Sequence, residues 1–234
     1  MTIIGGADGC KSGWIVVTKD LDSGEITWRV CAEASDFILK EPFLDIVAID
    51  IPIGLPEIGA RECDRKARQL LGRGRASSVF PAPIRPVLDA RDYREACQKR
   101  FEIEEKKISK QTWLITSKIK EVDHILNKNI ELQNRVHEIH PEVCFYFMNN
   151  RQPIKTTKKS KDGQQERCEM LIPFFGRKID EALESRIALR CELDDILDAF
   201  AALWTAKRIS TGESITLPSE PSADKHGLRM EIIA

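Results

Sequence analysis

Ile3-Ile4-Gly5-Gly6-Ala7-Asp8-Gly9-Cys10-Lys11-Ser12-Gly13-Trp14-Ile15-Val16-Val17-Thr18 reads as strand, turn and strand. The first strand, residues 3–8, is short and apolar. Gly9 and Gly13 bracket the turn and are free to take positive φ. The second strand covers residues 14–18, and two strands joined this tightly run antiparallel. A third strand is expected over residues 26–32, after the turn Asp22-Ser23-Gly24. A short helix follows at residues 35–40, with Ser35 as its cap. Ile46-Val47-Ala48-Ile49-Asp50-Ile51 is almost continuously apolar, as in a strand buried on both faces. Pro52, Gly54 and Pro56 end it.

Beyond residue 60 the chain changes character. Residues 60–132 are rich in charges and helix formers, with helices expected at 89–105 and 117–126. Residues 135–140 return to strand. Helices are then expected at 142–148, 166–175, 179–191 and 195–210, and residues 151–163 form a mobile basic loop. The tail from Gly212 is turn-rich and ends in the apolar Met230-Glu231-Ile232-Ile233. This order predicts an α/β fold: a mixed sheet whose first three strands are antiparallel, flanked by helices. We expect one domain over residues 1–234, with 60–132 as a mostly helical insertion.

Hydrophobic residues make up 42% of the 234 and charged residues 31%, which provides a core and places the chain among soluble globular proteins. No run reaches the roughly 18 apolar residues of a membrane helix. The start, MTIIGGADG, lacks the basic and apolar regions of a signal peptide. The seven cysteines have no pairing rhythm, so reduced thiols in a cytoplasm are expected. A net charge of −1 excludes a global basic field, leaving any nucleic-acid partner to use local patches.

Four acidic clusters end strands or begin helices: Asp8, Asp50, Glu138, and the group Asp194, Asp195 and Asp198. Carboxylates that converge need a cation between them, and a pair of divalent metals suited to phosphoryl transfer is the natural guest. Taken alone, Asp8 fits a tight hairpin better than a metal site. Asp50 interrupts an apolar run, where a buried unpaired carboxylate costs several kcal/mol, to order of magnitude. Period-two alternation puts Val136, Glu138 and His140 on one face of their strand, and His137 and Ile139 on the other. No Cys or His pair has zinc-site spacing to join those histidines. Asp194 suits a helix N-cap, whereas Asp195 and Asp198 share a face with Ala199 and Ala202, the packed side of the helix.

Two basic runs stand out. Arg61, Arg65 and Arg68 lie at helical spacing and reach Arg73 and Arg75 in Gly72-Arg-Gly-Arg-Ala-Ser-Ser78, a stretch whose glycines, arginines and hydroxyls suit an anion. The second run, Lys155 to Lys161, reads as a solvated loop.

Seven stretches occur in an order that resembles a known family: Gly6-Ala7-Asp8-Gly9-Cys10-Lys11-Ser12-Gly13-Trp14, Ala48-Ile49-Asp50-Ile51-Pro52-Ile53-Gly54-Leu55, Arg61-Glu62-Cys63-Asp64-Arg65, Ser78-Val79-Phe80-Pro81-Ala82-Pro83, Ser109-Lys110-Gln111-Thr112-Trp113, Glu138-Ile139-His140-Pro141-Glu142 and Asp194-Asp195-Ile196-Leu197-Asp198-Ala199. The chain resembles the domain-of-unknown-function 429 family, described as predicted RNase H-like nucleases. That resemblance implies an RNase H-like sheet with carboxylates on the first strand, the fourth strand and a late helix. Here these are Asp8, Asp50 and the pair Asp195 and Asp198, with Glu138 as an additional candidate. The segment 60–132 departs from the ordinary nuclease core.

The expected function is a metal-dependent phosphodiesterase or nuclease acting on nucleic acid or a nucleotide-like phosphate. Asp8, Asp50 and Asp195 would bind Mg²⁺ or Mn²⁺, and Asp198 or Glu138 would hold a second ion or orient water. Arg61, Arg65, Arg68, Arg73 or Arg75 would hold the phosphate. Two rivals remain: a non-catalytic nucleic-acid or protein binding module, and a sugar- or acetate-kinase-like ATPase.

Overall fold

The computed structural model describes residues 1–234. It is a mixed α/β fold with a five-stranded sheet and nine α-helices. Strands β1 (Ile3–Cys10), β2 (Gly13–Asp20) and β3 (Ile26–Cys31) form the expected antiparallel meander. Helix α1 (Ser35–Ile38) leads to β4 (Ile46–Ile49), which lies parallel to β1. The segment before the next strand holds α2 (Glu62–Arg75), α3 (Tyr93–Glu104) and α4 (Lys110–Lys128), with short 3₁₀ turns between. Strand β5 (Val136–Glu138) returns parallel to β4, so the sheet order is β3-β2-β1-β4-β5. After it come α5 (Pro141–Met148), α6 (Lys161–Phe175), α7 (Lys178–Glu184), α8 (Arg186–Leu189) and α9 (Leu193–Thr211). The ribbon β6 (Thr216–Ala223) and β7 (Arg229–Ile233) closes the chain.

The sheet is covered on both faces. Ile4, Ile15, Val17, Ala48 and Ile139 face α9, α5, α6 and α7 through Phe200, Leu203, Phe145, Leu171 and Ile179. Ala7, Val16, Val47, Ile49 and Val136 face α1 and α4 through Phe37, Ile38, Ile119, Val122 and Leu126. The segment between β4 and β5 therefore supplies one of the two helical layers. Helix α9 is buried without interruption from Ile196 to Ala206, which its alanines permit. It approaches β1 so closely that a Cβ on Gly6 would collide with the backbone of Ala199 and Leu203. Gly6 thus sets the distance between β1 and the helix that carries Asp198.

Several elements differ from the sequence expectation. Ser35 is the first residue of α1 and its cap position is Ala34. Helix α4 begins at Lys110 rather than residue 117, because the Ser109 side chain accepts from the Thr112 amide. Helix α6 begins at Lys161, inside the stretch expected to be a mobile loop, because Ser160 caps it through the Gly163 amide. The single helix expected at 179–191 is two, α7 and α8. The turn-rich tail is a strand ribbon, and its register slips between Leu217 and Ser222, the stretch that holds Pro218 and Pro221.

Candidate functional site

The parallel pairing of β1 with β4 brings two acids to one sheet edge. Ala7 lies opposite Ile49, and the Asp50 amide donates to the Ala7 carbonyl at 3.0 Å. The next positions on the two strands are Asp8 and Asp50, on the face that α9 covers. Asp198 is in the second turn of α9, within Coulomb reach of both. These three acids line one cavity of about 550 Å³ at the carboxyl ends of the parallel strands. Its walls are Arg75 to Phe80, Ile115 and Lys118 of α4, the start of α5, and Thr157 to Lys159.

The electrostatics of this floor are strained. Burial raises the Asp8 carboxyl far above its ordinary range, and Asp50, Asp198 and Asp195 add to the effect. Burial likewise lifts Asp50 and Asp198 to about 6, although the Lys158 ammonium pulls both down. Lys158 lies 2.8 Å from Asp198 Oδ2 and 3.6 Å from Asp194 Oδ2. Its own pKa is raised, first by Asp198 and then by Asp8 and Asp50. The expectation of a solvated lysine is corrected here: the side chain is 42% exposed, but its ammonium is paired with Asp198.

Asp195 is part of this field but does not line the cavity. Its side chain accepts from the Glu192 amide at 2.9 Å and completes a capping box with Glu192. Burial raises it to about 6. The N-cap of α9 is Glu192 rather than Asp194, which turns toward Lys158 instead.

Glu138 pairs in register with Ile49, so it points to the opposite face of the sheet from Asp8 and Asp50. There it meets Arg61 in a bidentate pair with both contacts at 2.6 Å, and accepts from the Ile53 amide at 2.6 Å. Arg61 also grips Asp64 at 2.6 Å, and Asp64 accepts from the Ala82 amide. Arg61, Asp64 and Glu138 are all buried. Burial pushes Glu138 up to about 7, against the pull of Arg61. This triad is a strut that ties α2 to β5 and underlies the same cavity.

The other arginines divide. Arg75 lines the cavity, bonds Glu142 Oε2 at 2.7 Å, and keeps a buried Nε without a partner. Arg65 pairs with Glu62, Arg68 donates to the Val79 carbonyl at 2.6 Å, and Arg73 is exposed. None of these three reaches the cavity. Gly72, at φ 69°, bends α2 just before Arg75.

Three contributors were not legible as site residues. Lys118 lies over the Trp14 ring at 4.5 Å, bonds the Gly13 carbonyl, and lies against Gly9. Glu142 is clamped between Arg75 and Arg167; burial works against its charge, but Arg167 and Arg75 together hold it below the usual carboxylate range. Arg167 is buried and also donates to the Gly163 carbonyl. A single Lys or Arg inside a helix carries no sequence signal of such a role.

His137 is held down to about 4 by burial and His140 is also lowered by burial, so both are neutral at pH 7. No three His, Cys, Asp or Glu side chains meet closely enough to enclose an ion in this conformation. The donors nevertheless suit a hard cation. Asp198 Oδ1 is buried with no partner, its side chain is 2% exposed, and an ammonium already stands among the carboxylates.

Fold and site together define an α/β protein with an acid-floored, base-walled cleft at the carboxyl edge of a mixed sheet. The model of the family described as protein of unknown function DUF429 matches residues 6–223, and the chain belongs to that family. No curated protein and no solved structure matches it. No helix is long and apolar enough to cross a membrane.

Proposed function

We propose that the chain is a metal-dependent phosphodiesterase of the RNase H-like type, acting on nucleic acid or a nucleotide-like phosphate. The observation that carries the reading is that Asp8, Asp50 and Asp198 line one cavity at the strand ends, with the Lys158 ammonium held on Asp198. The strand order β3-β2-β1-β4-β5, with three antiparallel strands and then two parallel to the first, supports the RNase H-like assignment. So do the positions of the acids on the first strand, just past the fourth, and on a late helix.

Asp8, Asp50 and Asp198 would hold Mg²⁺ or Mn²⁺, with Asp195 adding negative field from behind. When bound, the ion supplies positive charge to the phosphate and lowers the pKa of water. The chain's own residues do the rest. Lys158 releases Asp198 and is then free to meet a phosphate oxygen. Arg75 and Lys118 orient the phosphate from the walls. The water oxygen bonds to phosphorus, the bond to the departing oxygen breaks, and that oxygen ends protonated as an alcohol.

The test is hydrolysis of bis(p-nitrophenyl) phosphate in Mg²⁺ or Mn²⁺. Asp8→Asn should lower kcat/KM by at least about 100-fold, the scale of losing one electrostatic group in a closed site. Turnover equal in wild type and Asp8→Asn would sink the reading. Salt-sensitive nucleic-acid binding without turnover would instead favour a binding module.

A further inference from the structure

The cavity's depth narrows what it can take. We infer that the substrate is a small phosphodiester, a dinucleotide or shorter, and that Phe80 stacks on its base; this rests on the phosphodiesterase reading of the same site. The cavity holds about 550 Å³, within the range of small-molecule sites and suited to one or two nucleotides. Two of the three carboxylates lie deep, Asp8 at 8% and Asp198 at 1% exposed, and Asp50 is half-buried. A duplex is a stiff rod far wider than this cavity, so it cannot follow one of its phosphates down to recessed carboxylates. A dinucleotide can enter whole.

The walls match the other parts of such a ligand. Phe80 lines the cavity yet remains 48% exposed, so part of its ring is open to a ligand. Base–aromatic stacking is tolerant of base identity. Ser77, Ser78 and Thr157 line the cavity with hydroxyls that suit a sugar, while Arg75, Lys118 and Lys159 carry positive charge for phosphate. The 75–80 wall belongs to the segment between β4 and β5. That segment therefore sets substrate size. Hydrolysis here consumes one water and one P–O bond, and yields a phosphate monoester and an alcohol.

The full chain is assayed in Mn²⁺ on a linear dinucleotide, a single-stranded 20-mer, its duplex, and glycerophosphoglycerol. The dinucleotide should exceed the duplex in kcat/KM by about 100-fold or more. Phe80→Ala should raise KM for the dinucleotide about tenfold more than KM for glycerophosphoglycerol, a phosphodiester with no ring to stack. Calorimetry without added metal reads binding alone, and Phe80→Ala should weaken dinucleotide binding about tenfold. A duplex or 20-mer cleaved as well as the dinucleotide overturns the inference and leaves the phosphodiesterase reading standing. So does a Phe80→Ala effect equal on both small substrates. No metal-dependent cleavage on any of the four overturns the reading itself and the inference with it.

Discussion

Asp50 ends a strand of the core and has no cation of its own beyond Lys158. Its carboxyl at about 6, with Asp195 and Asp198 alike and Asp8 also raised by burial, means that the folded chain holds protons the unfolded chain releases. Between the ordinary value near 4 and the folded value near 6, folding takes up protons, so these acids lose stability as pH rises through that window. In EDTA the Tm should fall between about pH 4 and about 6.5, with the sign set by this linkage. Asp50→Asn removes one acid, flattens the curve and raises Tm near neutrality by about 2–8 °C, taking roughly 1–2 kcal/mol of relieved repulsion. Added Mg²⁺ should stabilise the wild type more than the variant. Identical curves for the two proteins, with and without metal, would show that the acids do not act on one another.

Lys158 answers to the same field. Lys158→Met leaves a buried acidic cluster without its cation, so the metal-free Tm should drop. Mn²⁺ should then produce a larger upward shift in the variant than in the wild type, because no ammonium competes for Asp198. An equal shift in both would place the ion elsewhere. Sequence could not single out Lys158 among five basic residues of its loop, since only the docking of the loop against α9 selects one of them.

At the scale of elements, the Arg61 strut holds α2 to β5. Breaking a buried pair by removing one partner costs about 3–5 kcal/mol. Arg61→Leu should therefore lower Tm by at least about 6 °C in scanning calorimetry. A substrate-binding arginine would raise KM and leave Tm in place, the outcome that would restore the sequence expectation. That expectation took Arg61 for a phosphate-binding residue because arginines at helical spacing that lead into a Gly-Arg-Gly-Arg stretch suit an anion. Burial among Asp64 and Glu138 depends on where β5 lies, and neither helix nor strand alone encodes it. Glu138 teaches the same point: alternation correctly divided its strand's faces, but only the register with Ile49 shows that its face is not that of Asp8 and Asp50. Asp8 and Asp50 were legible because each ends an apolar run, and the carboxyl end of a buried strand is an edge by construction.

For the whole molecule, the meander and the two-faced sheet were visible in alternation, glycines and the apolar run 46–51. The ribbon β6–β7 was not, because Pro218 and Pro221 argue against a strand. Ile233 bridges to Ile139 beside β5, so the ribbon covers an edge that would otherwise be open. The core also accounts for the cysteines. All seven are free thiols, and only Cys97 and Cys168 are partly exposed. Thiol titration should find two accessible groups in the native protein and seven in denaturant; seven fast thiols in the native state would contradict this packing.

The central claim is that Asp8, Asp50 and Asp198 share one divalent cation. Isothermal calorimetry with Mn²⁺ on the wild type and on Asp8→Asn tests it directly. Saturable heat in the wild type, lost or weakened at least about tenfold in Asp8→Asn, is the predicted result. The same binding curve in both proteins would contradict it.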